Sequence, residues 1–184
     1  MLKKLLIYLC FQLLFVSCHT ESGVKNFELT TGQNKVITLD NFKGKVLLLY
    51  FGFASCPDVC PMSLSKINSL VKKLKPNIKP LVQTLFVSVD YKRDTPEDTL
   101  KYAKYFNKDF LGATGTKEQI ELATLKYGVN YKFVELKESE MEYTVDHTSY
   151  LYIIDKKGKL ITQYSSDNLN TDTLKVIEQL ATEN

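Results

Sequence analysis

Apolar positions along the chain follow two different periods. Residues 46–51 are an unbroken apolar run and residues 81–89 are a second, largely apolar one. Such runs read as strands covered on both faces, inside a parallel sheet. Between them Leu64, Ile67, Leu70, Val71 and Leu74 line up as one stripe of a helix over 62–74. Pro61 suits that helix's first turn, where no backbone donor is needed. Strand, helix and strand in this order predict a βαβ unit. Upstream, residues 26–31 and 35–39 flank Thr31-Gly32-Gln33-Asn34 and read as a short hairpin. Downstream, Thr95 as N-cap, Pro96 at the first helical position and the acids Glu97 and Asp98 open a second helix. Leu100, Ala103 and Phe106 form its buried side. Thr116 and Gln119 make a capping-box pair for a third helix, with Ile120 and Ala123 inward and Gly128 ending it. Residues 134–141 read as a charged loop or edge hairpin. Residues 149–154 and 160–164 are strands joined by Asp155-Lys156-Lys157-Gly158, and 173–182 is a closing amphipathic helix.

A hairpin, a βαβα unit, a second hairpin and a final helix predict an α/β thioredoxin-like fold. Its central mixed sheet is flanked by helices, with the N-terminal β-hairpin and a mid-chain insertion as additions. The first residues follow another logic. Lys3 and Lys4 precede an apolar run over 5–16, a signal-peptide pattern over 1–17. That run is too short for a bilayer span, which takes about 20 apolar residues. It ends in Leu14-Phe15-Val16-Ser17-Cys18, similar to a bacterial lipobox, with Cys18 as the residue to be lipidated. Residues 18–25 then form a tether, and 26–184 the folded domain.

Composition narrows the function. The chain has 184 residues, 44% hydrophobic and 24% charged, which suits one domain with its own core. Setting Lys3 and Lys4 aside, the 24 basic residues fall to 22 against 21 acidic ones. That balance, with no basic cluster, gives no nucleic-acid signal. Of four cysteines, Cys10 lies in the signal and Cys18 at the lipid site, so only Cys56 and Cys60 belong to the domain. Of two histidines, His19 adjoins the lipobox and His147 alone is left. Two thiols in an exported protein make no disulfide framework; they make a site.

The pair sits where the first buried strand gives way to its helix, in Tyr50-Phe51-Gly52-Phe53-Ala54-Ser55-Cys56-Pro57-Asp58-Val59-Cys60-Pro61. Four helical residues advance about 6 Å and slightly more than one turn, so both sulfurs would face the same way. A helix N-terminus favours the thiolate, which is both nucleophile and metal ligand. Two chemistries are open: a soft metal ion, or a Cys56–Cys60 disulfide when oxidised. In a thioredoxin-like domain the loop before the last hairpin lies against the dithiol turn, which puts His147 where a third ligand is needed. Cys56, Cys60 and His147 suit Cu(I), or Cu(II) with an added oxygen, and Zn(II) fits on ligand type alone. Asp58, Asp90 and Asp146 are candidates to support the ligands, although most such acids are only solvated or capping groups. Met62 brings a soft sulfur, but its place in the helical pattern reads as packing.

Redox catalysis is the competing class. Thiol–disulfide enzymes of this fold place a cis-proline opposite the dithiol, yet the prolines are 57, 61, 76, 80 and 96, with none later. The cysteine spacing also departs from Cys-x-x-Cys, and Phe53 occupies the threonine position of a peroxide-reducing Thr-x-x-Cys. A non-catalytic lipoprotein adaptor is a third class.

These residues resemble the SCO/SenC family. Phe51 to Pro61 is similar to its copper motif. Val87-Ser88-Val89-Asp90-Tyr91-Lys92-Arg93-Asp94-Thr95-Pro96-Glu97 matches its second block, with Tyr91 where proline is usual. Gly115-Thr116-Lys117-Glu118-Gln119-Ile120, Tyr127-Gly128-Val129 and Val145-Asp146-His147-Thr148 match later blocks. The resemblance implies a membrane-tethered copper chaperone rather than an enzyme, with copper on Cys56, Cys60 and His147. Its implied partners are an upstream copper donor and the copper-site subunit of cytochrome c oxidase, or another copper enzyme. The alternative it carries is a thiol–disulfide oxidoreductase keeping that subunit's cysteines reduced. The implied location is the bacterial cell envelope, anchored by lipid and facing the periplasm or exterior.

Overall fold

A computed structural model describes residues 26–137 and 139–183. The signal, Cys10, Cys18 and His19 lie outside them. Nine strands and four α-helices occur among the described residues. The strands are β1 (Glu28–Thr31), β2 (Lys35–Thr38), β3 (Val46–Gly52), β4 (Val82–Ser88), β5 (Leu111–Thr114), β6 (Tyr131–Glu135), β7 (Tyr143–His147), β8 (Tyr150–Ile154) and β9 (Leu160–Ser165). The helices are α1 (Val59–Lys73), α2 (Pro96–Phe106), α3 (Lys117–Tyr127) and α4 (Thr171–Thr182).

Seven strands form one mixed sheet in the order β2-β1-β5-β4-β3-β8-β9. β3, β4 and β5 are parallel, while β8 and the β1–β2 hairpin add antiparallel partners. The arrangement is thioredoxin-like, as the pattern predicts. Every residue of β3 is buried, the result of its unbroken apolar run in the sheet's interior. Strand alternation sends successive β3 side chains to opposite faces. Tyr50 stacks on Phe86, which meets Tyr102 of α2. Phe51 instead meets Tyr127 of α3 and Tyr152 of β8. β3 is therefore the ridge pole of two packed layers, and the turn at its C-terminal end inherits a rigid base.

Local signals explain the helix ends. Thr95 accepts from the Asp98 amide, and Thr116 and Gln119 satisfy each other's backbone donors as a capping box. Gly128 closes α3 at φ 65°, a left-handed cap suited to glycine. The structure also departs from expectation. β5 has no signal in the sequence pattern, because Leu111-Gly112-Ala113-Thr114 is too short to show a period. Residues 134–141 are not a hairpin by themselves. They are mostly the connection between β6 and β7, which pair antiparallel as a separate two-stranded sheet. α1 begins at Val59 rather than 62, so Cys60 lies inside its first turn. Met62, expected to pack, is 47% exposed.

Candidate metal centre

β3 ends at Gly52, and a tight turn brings the chain to α1. The Cys56 amide donates to the Phe53 carbonyl at 3.3 Å, and the Ala54 amide donates to Asp94 Oδ2 at 2.7 Å. The Ser88 hydroxyl donates to the same carboxylate oxygen. Asp94, which reads in sequence as the approach to a helix, instead turns its side chain back to fasten the dithiol turn. Burial raises its pKa, and the Ala54 amide opposes that. Asp94→Ala strips a partner from the Ala54 amide and the Ser88 hydroxyl. A loss of about 1–3 kcal/mol is expected, measured by denaturant unfolding, with Asp94→Asn milder because one acceptor remains.

Gly52 has a second role. A Cβ there would stand 2.7 Å from Cys60 Sγ and 2.9 Å from Phe86 Cε2, so any larger residue would have to displace the buried thiol. Cys60 is fully buried and Cys56 half-buried. The Cys60 amide, in the first turn of α1, donates to Cys56 Sγ at 3.4 Å. The expected common facing of the two sulfurs thus arises with Cys56 just outside the helix, at its N-terminus.

His147 is the last residue of β7, not a loop residue, opposite Tyr131 in β6. Its Nε2 lies 3.4 Å from Cys60 Sγ. Its Nδ1 lies 3.1 Å from the Thr148 carbonyl. A carbonyl only accepts, so Nδ1 carries a proton there, and Nε2 is the nitrogen turned toward Cys60. The ring stands edge-on to Phe53 and Tyr50, with centroids 6.0 and 6.4 Å away.

The two thiols titrate as one unit. A hydrogen bond from the Cys60 thiol is the main cause that holds Cys56 far below the ordinary thiol range, at about 4. Contacts with His147 and the Cys60 amide add to it, and partial burial opposes. Cys60 is pushed strongly upward by the same hydrogen bond, by its own burial and by the Cys56 charge. One proton therefore resides on Cys60 and one negative charge on Cys56 at neutral pH.

Cys56 and His147 line an open cleft of about 520 Å³, together with Asp58, Asp146 and Asp167, and Cys60 lies buried behind them. Asp58 and Asp146 are exposed there, and the Asp58 side chain makes no capping bond to α1. Carboxylates on that wall favour an incoming cation. Asp90 lies elsewhere. Its fully buried carboxylate is spent on Arg93 and Tyr143. Beneath the trio, Tyr50, Ser149, Ser166 and Ser63 form a run of hydroxyls with links of 3.0, 2.9 and 2.8 Å. Sequence reasoning missed Asp94, Tyr50 and this run, since nothing local in the chain announces a partner that distant. Among the described residues no three His, Cys, Asp or Glu side chains already stand together closely enough to hold a metal ion. Cys60 contacts Cys56 and His147 separately, and of the three only those two reach the cleft.

Fold and site together define a thioredoxin-like domain with a Cys-x-x-x-Cys dithiol at the start of its first long helix and an imidazole against the buried thiol. The chain belongs to the SCO1/SenC family, whose model matches residues 18–182. It is 39% identical over 141 residues to the SCO2-like protein RP587 of Rickettsia prowazekii, covering 77% of this chain and 68% of that one. Arabidopsis thaliana ScoI, solved with copper bound, superposes with a TM-score of 0.76 at 34% identity, covering 84% of this chain and 98% of the other. A SCO1/SenC family lipoprotein from Bacillus anthracis superposes with a TM-score of 0.71 at 26% identity, covering 85% and 94%.

Proposed function

We propose that the chain carries copper as cargo on Cys56, Cys60 and His147 and delivers it to the dinuclear copper centre of cytochrome c oxidase. The observation that supports this best is the 3.4 Å approach of His147 Nε2 to Cys60 Sγ. It joins an imidazole nitrogen to a dithiol from 87 positions away. Two sulfurs and one such nitrogen are a soft donor set, matched to Cu(I). Family membership and the copper-bound Arabidopsis relative point the same way.

The residues divide the work. Cys56 is already a thiolate at neutral pH and meets the ion first, at the cleft. Binding then displaces the Cys60 proton, because a ligating thiol must be deprotonated. His147 completes three-coordination and leaves one side open to the cleft. An incoming thiolate or thioether of the recipient takes that side, and the three ligands release in turn. A Cys56–Cys60 disulfide supplies no thiolate, so loading requires the reduced chain. Asp58 and Asp146 gather the cation at the rim.

Among the described residues no helix is long and apolar enough to cross a membrane. Attachment is assigned to lipid on Cys18, which puts the domain at the outer face of a bacterial membrane. The Bacillus anthracis relative, a lipoprotein, supports that reading. Delivery to another copper enzyme uses the same ligands.

Titration of the reduced chain with Cu(I) against a chromophoric competitor tests the assignment. One equivalent is expected to bind, Cys56→Ser and Cys60→Ser to abolish high-affinity binding, and His147→Ala to weaken it. Unchanged stoichiometric binding in all three variants would sink the site. The low-pKa Cys56 beside a protonated Cys60 also favours a second reading, reduction of a partner's disulfide. Full, metal-independent reduction of an oxidised acceptor would favour that reading instead.

A further inference from the structure

The β6–β7 hairpin that carries His147 has no ladder to the seven-stranded sheet. Its open end is closed across the hairpin itself by Thr148, whose amide and hydroxyl both donate to the Asn130 carbonyl at 2.9 and 3.2 Å. Its other end is gripped by the connection between β4 and α2. Arg93 Nη1 donates to the carbonyls of Met141 and Tyr143, both at 3.1 Å. Its Nε donates to Asp90 Oδ2 at 2.6 Å, and the Tyr143 hydroxyl donates to Asp90 Oδ1 at 2.9 Å. The guanidinium lies 3.8 Å from the Tyr143 ring centroid. Lys92 Nζ lies 4.2 Å from that of Phe133. Tyr91 meets Phe133 edge-on at 5.3 Å.

We infer that Arg93, seated on the buried Asp90, is a positioning residue for His147: it fixes the hairpin's tilt and so holds the imidazole against Cys60. Only a planar fork spans a carboxylate and two carbonyls while stacking on a ring. A lysine presents one compact point of charge and cannot. The same connection supplies Asp94, which fastens the dithiol turn through Ala54. Residues 90–94 thus set both halves of the site, the thiols through Asp94 and the histidine through Arg93. The hairpin needs such a grip because no sheet hydrogen bond supplies one.

The inference rests on the copper reading for its consequence, but its geometry is measurable without metal. In the reduced, metal-free full chain, the nuclear Overhauser contact between the His147 ring and the Cys60 β-protons is expected in wild type and lost in Arg93→Gln. With Cu(I), Arg93→Gln is expected to weaken affinity about 10- to 100-fold, as loss of an outer partner of a metal ligand does. The effect should vanish in a His147→Ala background, so that the double variant is no worse than His147→Ala alone. An undiminished Overhauser contact in Arg93→Gln, or an equal loss of affinity in both backgrounds, would overturn the inference. If Arg93→Gln does not fold, Arg93→Lys and Tyr143→Phe carry the test. The first keeps the charge on Asp90 and the second removes a single hydroxyl, and each should show a smaller loss in the same direction. Absence of Cu(I) binding in wild type would defeat the copper reading alone, and the Overhauser contact would still decide the role of Arg93.

Discussion

In the reduced, metal-free chain Cys56 is expected to react with iodoacetamide at a rate that stays nearly flat down to about pH 5 and halves near pH 4. An ordinary thiol, with a pKa of about 8.5, loses about 100-fold in rate between pH 7 and pH 5 as its thiolate disappears. Cys56 keeps about nine-tenths of its thiolate over that interval if it titrates near 4. A low pKa also makes a poorer nucleophile, which lowers the absolute rate but leaves the profile's shape intact. Cys60, buried and holding the shared proton, should remain unlabelled across the same range. Cys60→Ala removes the largest cause of the depression, so the Cys56 midpoint should climb toward the ordinary range. A Cys56 rate that falls tenfold per pH unit from pH 8 downward would refute the shared-proton description.

The same arrangement fixes the sign of the reduced chain's pH-dependent stability. Cys56 has a depressed folded-state pKa. Its contribution is present above the unfolded thiol value and is lost as pH falls through about 4. Cys60 has a raised one, so its contribution is present below the unfolded thiol value and is lost as pH rises beyond it. From this pair alone, stability therefore peaks near the unfolded thiol pKa. The disulfide form has neither contribution.

How much of this is legible in the sequence depends on the reach of each feature. β3, α1 and α2 announce themselves because periodicity and caps are local signals. Cys56, Cys60 and His147 stand out for another reason: setting the leader aside leaves them as the domain's own thiols and imidazole. Reach is what hides the rest. Asp94 precedes Thr95 and Pro96 as an acid near a helix start should, yet its side chain bonds Ala54, 40 residues away. Nothing near Arg93 in the chain announces that it grips carbonyls 48 and 50 residues downstream. β5 escapes because four residues containing a glycine show no alternation, and its strand character comes from β4 and β1 on either side. Met62 shows the opposite failure. A helical pattern suggests an inward position, but the first turn of α1 stands at the cleft end of the sheet, where its side is not covered.

The glycine that hides β5 should also be the costliest to replace. A Cβ on Gly112 would overlap the carbonyl group of Thr99 and press on the Leu100 amide. All of these are backbone atoms of α2, so no rotamer change relieves the overlap. Either α2 lifts from the sheet or β5 leaves its place between β4 and β1. Overpacking against yielding side chains costs about 1–3 kcal/mol. Against fixed backbone, Gly112→Ala should exceed about 3 kcal/mol, a large share of the 5–15 kcal/mol that holds a domain together. Denaturant unfolding should show the midpoint collapse. Gly52→Ala is the instructive contrast, because its new methyl meets the ends of side chains, Cys60 Sγ at 2.7 Å and Phe86 Cε2 at 2.9 Å. These can shift, so the fold survives at lower cost, but the shift falls on a proposed ligand. Gly52→Ala should therefore lose Cu(I) affinity out of proportion to its stability. Gly112→Ala should lose stability while the fraction that remains folded, seen by native-state mass spectrometry, still takes up one copper ion. The reverse pattern would mean that the turn after β3 tolerates movement of Cys60, and that the packing of α2 on β5, rather than the seat of the thiol, controls the site.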